Sequence, residues 1–286
     1  TEIGVALIDT RMKALKKERQ YSDVLVLLEL MHTVNPPNTP KEKLSHARAI
    51  YRARKYPESV QAFGDLLGPP STATGASSDL FNYALSLARS GDYDNAMVVY
   101  GRLVKLHPTS ERADFGSYKR GYTEYDRRNL PQAIIEFKRH IQTRSASKYL
   151  DEAIWFLGLS YWLSDDVLNA KKTWVTLPKL RPKSALVPAV AYWLGRLKGL
   201  GGDKKGETAA YVDLLKRYPI AGHSWYAAHR LGRTFPKVKR ATPPPWPSAL
   251  ASRREVQRAE TLLAGGFTQW ARDEIRVIES VAKQQG

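Results

Sequence analysis

Apolar and small residues recur along this chain with one fixed step. Phe63, Tyr100, Phe137, Trp174 and Tyr211 form an all-aromatic series in which each member stands 37 residues after the last. Ala47, Ala84, Gly121, Gly158, Gly195 and Gly232 form a second series at the same step, all small. Within a single period the apolar positions have helical spacing. Leu80, Phe81, Ala84, Leu85, Leu87 and Ala88 predict one helix, Ser90-Gly91-Asp92 a turn, and Ala96, Val99, Tyr100 and Leu103 a return helix that ends at His107-Pro108. A repeat of this length predicts a solenoid, in which each unit buries its apolar face only against its neighbours.

The small series lets paired helices approach closely. A second small series on the return helices, Ser59, Ala96, Ala133 and Ala170, faces it, and the aromatic four residues later fills the gap to the next unit. Glu207 interrupts this second series, so looser packing is expected there. Ser77, Asp114 and Asp151 are expected N-caps, and Pro40 and Pro188 suit a first helical turn.

Leu157-Gly158, Tyr161, Ala170, Trp174 and Pro182 resemble the tetratricopeptide pattern, with connections longer than usual. The resemblance runs from about Pro40 to Ser224 and implies an all-α superhelix of tetratricopeptide-like helix hairpins. Tyr21, Leu28 and Pro36 form an earlier, degenerate unit. The expected divisions are therefore a degenerate N-terminal repeat over 1–39, a superhelix over 40–241, and a proline-rich connector with a C-terminal helix pair over 242–286.

The rhythm fails after Gly232. Tyr218-Pro219, Ser224 to Gly232, the Thr242–Pro247 connector, then Arg258-Ala259, Leu263, Gly266, Ala271 and Glu274 are similar to the superhelical region of bacterial soluble lytic transglycosylases. That resemblance implies a non-catalytic, periplasmic part that positions peptidoglycan glycan strands or peptide stems beside a catalytic domain. The family's later catalytic motifs are absent, and Glu279-Ser280 reads as a solvated terminal position. The chain starts at Thr1 with neither Met nor a signal-peptide pattern, which reads as a processed or trimmed product.

Composition narrows the partners. With no cysteine, disulfides and thiolate chemistry are excluded, and no apolar run is long enough to span a membrane. His223 and His229 stand six apart, off the spacing that places two metal ligands on one helical face, and no nucleotide-binding fingerprint occurs. No cofactor is expected. The formal net charge of +17 implies an anionic partner. No recognition helix or compact Arg-rich segment accompanies that charge, which argues against nucleic acid. The densest basic patch is Lys216, Arg217, Arg230, Arg233, Lys237, Lys239 and Arg240, in a stretch with no acid between Asp213 and Glu255.

A third series, Leu44, Phe81, Tyr118, Trp155, Tyr192 and His229, keeps the same step. By analogy with tetratricopeptide arrays this position faces the groove, where rings could stack on sugars or on a peptide's apolar side chains. Packing between helices is the competing reading. Tyr125 and Trp162 would extend such a face, and Arg48 and Arg196 would supply its charge. The alternative function is a stand-alone scaffold gripping an acidic peptide or protein partner in the cell envelope.

Overall fold

A computed structural model describes residues 2–233, 253–264, 271–272 and 274–276. Its described residues are helical apart from their turns, and the chain divides into two units, Thr1–Phe235 and Pro236–Gly286. Residues 1–39 fall within the first of these units.

The first unit is a run of antiparallel hairpins. In chain order they are α1 (Glu2–Lys17) with α2 (Tyr21–Val34), α3 (Pro40–Arg52) with α4 (Tyr56–Leu67), α5 (Ser77–Arg89) with α6 (Tyr93–Leu106), and α7 (Glu111–Asp126) with α8 (Leu130–Thr143). Then come α9 (Leu150–Leu163) with α10 (Val167–Leu180), α11 (Val187–Leu200) with α12 (Lys204–Arg217), and α13 (Gly222–Arg230).

One turn geometry builds every hairpin. The residue two past each first helix adopts a left-handed backbone: Arg19, Arg54, Gly91, Arg128, Asp165, Gly202 and Gly232, with φ between 60° and 90°. The next amide then bonds back to a carbonyl five residues earlier, as Asp92 to Leu87, Asn129 to Glu124 and Asp166 to Tyr161 do, which closes a Schellman motif. Asp92, Asp166 and Asp203 follow immediately as N-caps of the return helices, accepting from the amides of Asn95, Asn169 and Gly206. Gly232 belongs to this turn series and not to the mid-helix small series. Helix α13 stops after nine residues, so the same letter in register does a different job.

Successive units are tied by side chains that reach back to the preceding connection. The C-cap residues of α6, α8 and α10 do this: His107 Nε2 donates to the Gly75 carbonyl at 2.7 Å, Arg144 to Pro108 at 3.2 Å and Arg181 to Ser147 at 3.0 Å. Asp114 and Asp151 are not N-caps. They lie inside the first turns of α7 and α9, whose N-cap positions are Ser110 and Tyr149. Their carboxylates instead accept from Ser147 Oγ at 2.9 Å and Ser184 Oγ at 2.6 Å in the next connection. Ser77 is the first helical residue after its N-cap Ala76.

The core is the aromatic series. Phe63, Tyr100, Phe137, Trp174 and Tyr211 are fully buried, and the rings of Phe137, Trp174 and Tyr211 lie against Gly121, Gly158 and Gly195 of their own hairpins. On the far side Phe137 meets Phe156 at 6.1 Å and Trp174 meets Trp193 at 5.8 Å, so the same ring also closes the gap to the following unit. At Glu207 the packing is not loose. Its carboxylate occupies the space opened by Gly199 and accepts from Tyr211 Oη at 3.0 Å, with Arg196 and Lys204 each at 3.3 Å. Burial alone would raise the Glu207 pKa, but these partners hold it below the usual carboxylate range.

In the second unit, α14 (Arg254–Ala264) buries Val256 and Ala259, Ala271 is buried, and Arg258 pairs with Glu274 at 2.8 Å. The proline connector and Glu279-Ser280 lie outside the described residues. Among the described residues no helix is long and apolar enough to cross a membrane.

Candidate functional site

The first helices of the hairpins carry the candidate residues, and the structure sorts them by exposure. Phe81, Tyr118 and Tyr192 are buried, while Trp155 is half-buried. Their rings are used between helices: Phe81 stacks on Phe115 at 5.2 Å, Tyr118 on Tyr149 at 5.6 Å, Trp155 on Trp174 at 5.7 Å and Tyr192 on Tyr211 at 5.4 Å. This leaves little ring face for a ligand. Tyr125 and Trp162 are half-buried and each meets an aromatic of the next unit, Phe156 at 5.1 Å and Trp193 at 5.6 Å.

The two arginines placed with them already have partners. Arg48 grips the buried Asp79 through two bonds of 2.6 and 2.7 Å, and Arg196 pairs with Glu207. Other buried acids are matched in the same way, Glu136 by Arg120 and Arg139, and Glu124 by Arg127. The buried acids of this unit are thus spent on structural arginines.

Three cations on α5 and α7 are left over. Arg89, Arg112 and Lys119 form no ion pair with any described residue, and each lies over an aromatic ring: Arg89 over Tyr56 at 5.8 Å, Arg112 over Phe81 at 5.3 Å, and Lys119 over Tyr122 at 4.4 Å and Phe115 at 5.3 Å. The ring faces hold the cations in place without neutralising them. Arg89, Lys119, Tyr93 and Tyr122 line a recess of about 220 Å³ with Leu85 and Asp126 among its other walls. Burial lowers the Lys119 pKa and the Arg89 charge lowers it further, which leaves an ammonium that gains from any anion brought to it. The sequence does carry a signal for this group. Phe115, Lys119 and Tyr122 have the three- and four-residue spacing of neighbours on one helical face.

The basic patch stands apart. Lys216, Arg217, Arg230 and Arg233 are exposed; Arg217 pairs with Asp213, and Arg230 Nε donates to Tyr192 Oη at 3.1 Å. Lys237, Lys239 and Arg240 lie outside the described residues. Among the described residues no group of three or more His, Asp or Glu side chains could hold a metal ion.

A family model described as "YfiO: Outer membrane lipoprotein" matches residues 73–178, which spans α5 to most of α10 and includes the three leftover cations. The C-terminal part of a TPR repeat-containing protein from Cytophaga hutchinsonii superposes with a TM-score of 0.58 at 17% identity, over 76% of this chain and 81% of that one. PilW, a widely conserved type IV pilus biogenesis factor, gives 0.49 at 12% identity over 77% and 96%. Pseudomonas aeruginosa pilF gives 0.46 at 11% identity over 79% and 96%. Identities this low carry the fold alone. No curated protein matches the chain. The chain is a tetratricopeptide-like helical repeat protein. Neither the family model nor these structures connect it with lytic transglycosylases.

Proposed function

We propose that this protein is an envelope scaffold that grips an acidic peptide segment of a protein partner on the α5–α7 face. The observation that carries the reading is the set of three cations, Arg89, Arg112 and Lys119, seated on aromatic rings with no carboxylate paired to them among the described residues. Cation and ring together suit a segment that alternates carboxylates with apolar side chains. The match of residues 73–178 to a family of outer membrane lipoproteins supports the envelope setting. A fluorescein-labelled peptide alternating Glu and Phe should bind in fluorescence polarisation, weaken with salt, and lose at least tenfold in affinity to an Arg89→Glu/Lys119→Glu variant. Equal binding by that variant, or equal binding of a Lys/Phe peptide, would overturn the proposal.

A second reading rests on the C-terminal resemblance over Tyr211 to Ile278. In it the helices are the non-catalytic support of a lytic transglycosylase, and the cations meet the carboxylates of peptidoglycan stems. Purified sacculi would then sediment the protein at low ionic strength and release it as salt rises. Absence of sedimentation would remove this reading.

A further inference from the structure

Helix α13 presents a surface that the peptide-binding reading does not use. Trp225 is 53% exposed and Tyr226 51%, and Ile220, just ahead of the helix, is 84% exposed. The two rings belong to a fixed cluster: Trp225 meets Tyr226 edge-on at 5.2 Å and lies nearly parallel to His229 at 5.9 Å, while Tyr226 packs on Tyr192 at 6.0 Å and on His223 at 5.9 Å. Elsewhere among the described residues of this unit the large aromatics are at least half-buried, so two projecting rings on one short helix need a partner to account for them.

The charge around them has one sign. Lys216 precedes the helix and Arg230 and Arg233 follow its rings; all three are exposed and none pairs with a described carboxylate. Between Asp213 and Glu255 the sequence holds no acid at all. Here the exposed cations lie over no ring among the described residues, whereas Arg89, Arg112 and Lys119 on α5 and α7 are each seated on one. That arrangement suits a broad, flat anionic surface better than a single chain of peptide. Trp and Tyr concentrate where a bilayer meets water, and exposed Lys and Arg are drawn to anionic lipids. A helix of nine residues is far too short to span, so it would lie in the interface.

We propose that α13 docks this protein onto an anionic lipid surface, with Trp225 and Tyr226 seated among the headgroups and Lys216, Arg230 and Arg233 facing their charge. Flotation with vesicles of phosphatidylglycerol in phosphatidylcholine, against phosphatidylcholine alone, tests this. The protein should float with the anionic vesicles at low salt, and a Trp225→Ala/Tyr226→Ala variant should lose at least tenfold in partitioning. Lys216→Glu and Arg233→Glu should each weaken it about fivefold. Both rings and both cations are exposed, so these variants keep the fold, which circular dichroism checks. The Arg89→Glu/Lys119→Glu variant should float like the parent, which separates this surface from the peptide face. The proposal is overturned if the protein ignores anionic vesicles, floats equally with neutral ones, or floats undiminished without its two rings.

Discussion

The indole of Trp174 lies flat across Gly158, so close that a β-carbon there would overlap the ring, and its Nε1 donates to the Trp155 carbonyl at 3.2 Å. The bond holds the ring where it is, and Trp193 closes the other side at 5.8 Å. A methyl group at position 158 therefore has to push the helices apart. Gly158→Ala should cost about 1–3 kcal/mol, read from the shift in the urea midpoint. Gly195→Ala should cost less, because a β-carbon there would stand 3.0 Å from the Tyr211 ring and not overlap it.

The left-handed turn residues give a prediction of opposite sign. Arg128 and Asp165 hold φ of 66° and 60° at positions where Gly91 and Gly202 do the same work without a side chain. Both are exposed, and no hydrogen bond or ion pair of their side chains compensates the backbone. Arg128→Gly and Asp165→Gly should each raise stability by about 0.5–1 kcal/mol. Gly91→Ala should lower it by a similar amount although a β-carbon there meets nothing within 4 Å. Thermal unfolding of the three variants checks the argument, and a Gly91→Ala protein as stable as the parent would defeat it.

The hairpins were legible in the sequence because their packing is made by residue types that recur. A buried ring over a small residue, as at Trp174 and Gly158, needs an aromatic and a small side chain in every unit, so periodicity exposes it. The turn and the inter-unit ties need only a conformation or a donor. Arg54, Gly91, Arg128, Asp165 and Gly202 share a backbone state but not a residue type, and His107, Arg144 and Arg181 share a donor role. Those series keep the same step yet show no common chemistry to a reader of letters. The partners of the groove arginines were hidden for a related reason. Arg48 and Arg196 are spent by Asp79 and Glu207, acids 31 and 11 residues away, and only the fold brings each pair together.

His140 sets the expected response to acid. Its ring is buried, Nδ1 meets Ser117 Oγ at 3.1 Å, Nε2 has no partner, and burial pushes the pKa down to about 4 despite the attraction of Asp114, with Arg144 opposing protonation. The unfolded chain takes up this proton near pH 6.5, the folded chain near 4. Stability from the neutral ring is therefore complete above 6.5 and drains as pH falls towards 4, by up to about 3 kcal/mol. His140→Gln should flatten that part of the profile. Glu152, pushed up to about 7 by burial and by Asp151, titrates in both proteins and drops out of the difference. Urea melts of the parent and variant from pH 7 to 4 measure it, and parallel curves would refute the assignment.

Arg48 and Asp79 link α3 to α5 across two hairpins, and the acid is 1% exposed. If Arg48 served a ligand, its loss would weaken binding and leave stability unchanged. The bidentate grip argues for the reverse. Arg48→Ala strands a buried carboxylate and should cost about 3–5 kcal/mol, while Arg48→Ala/Asp79→Ala removes both charges and should recover most of that loss. Lysine offers a point charge in place of a planar fork, so Arg48→Lys should fall between them. The folded fraction of Arg48→Ala, measured beside its affinity for the Glu/Phe peptide, separates the two roles. Unchanged stability with weakened binding would return Arg48 to the ligand face, and lost stability with parental affinity of the folded protein keeps it in the frame.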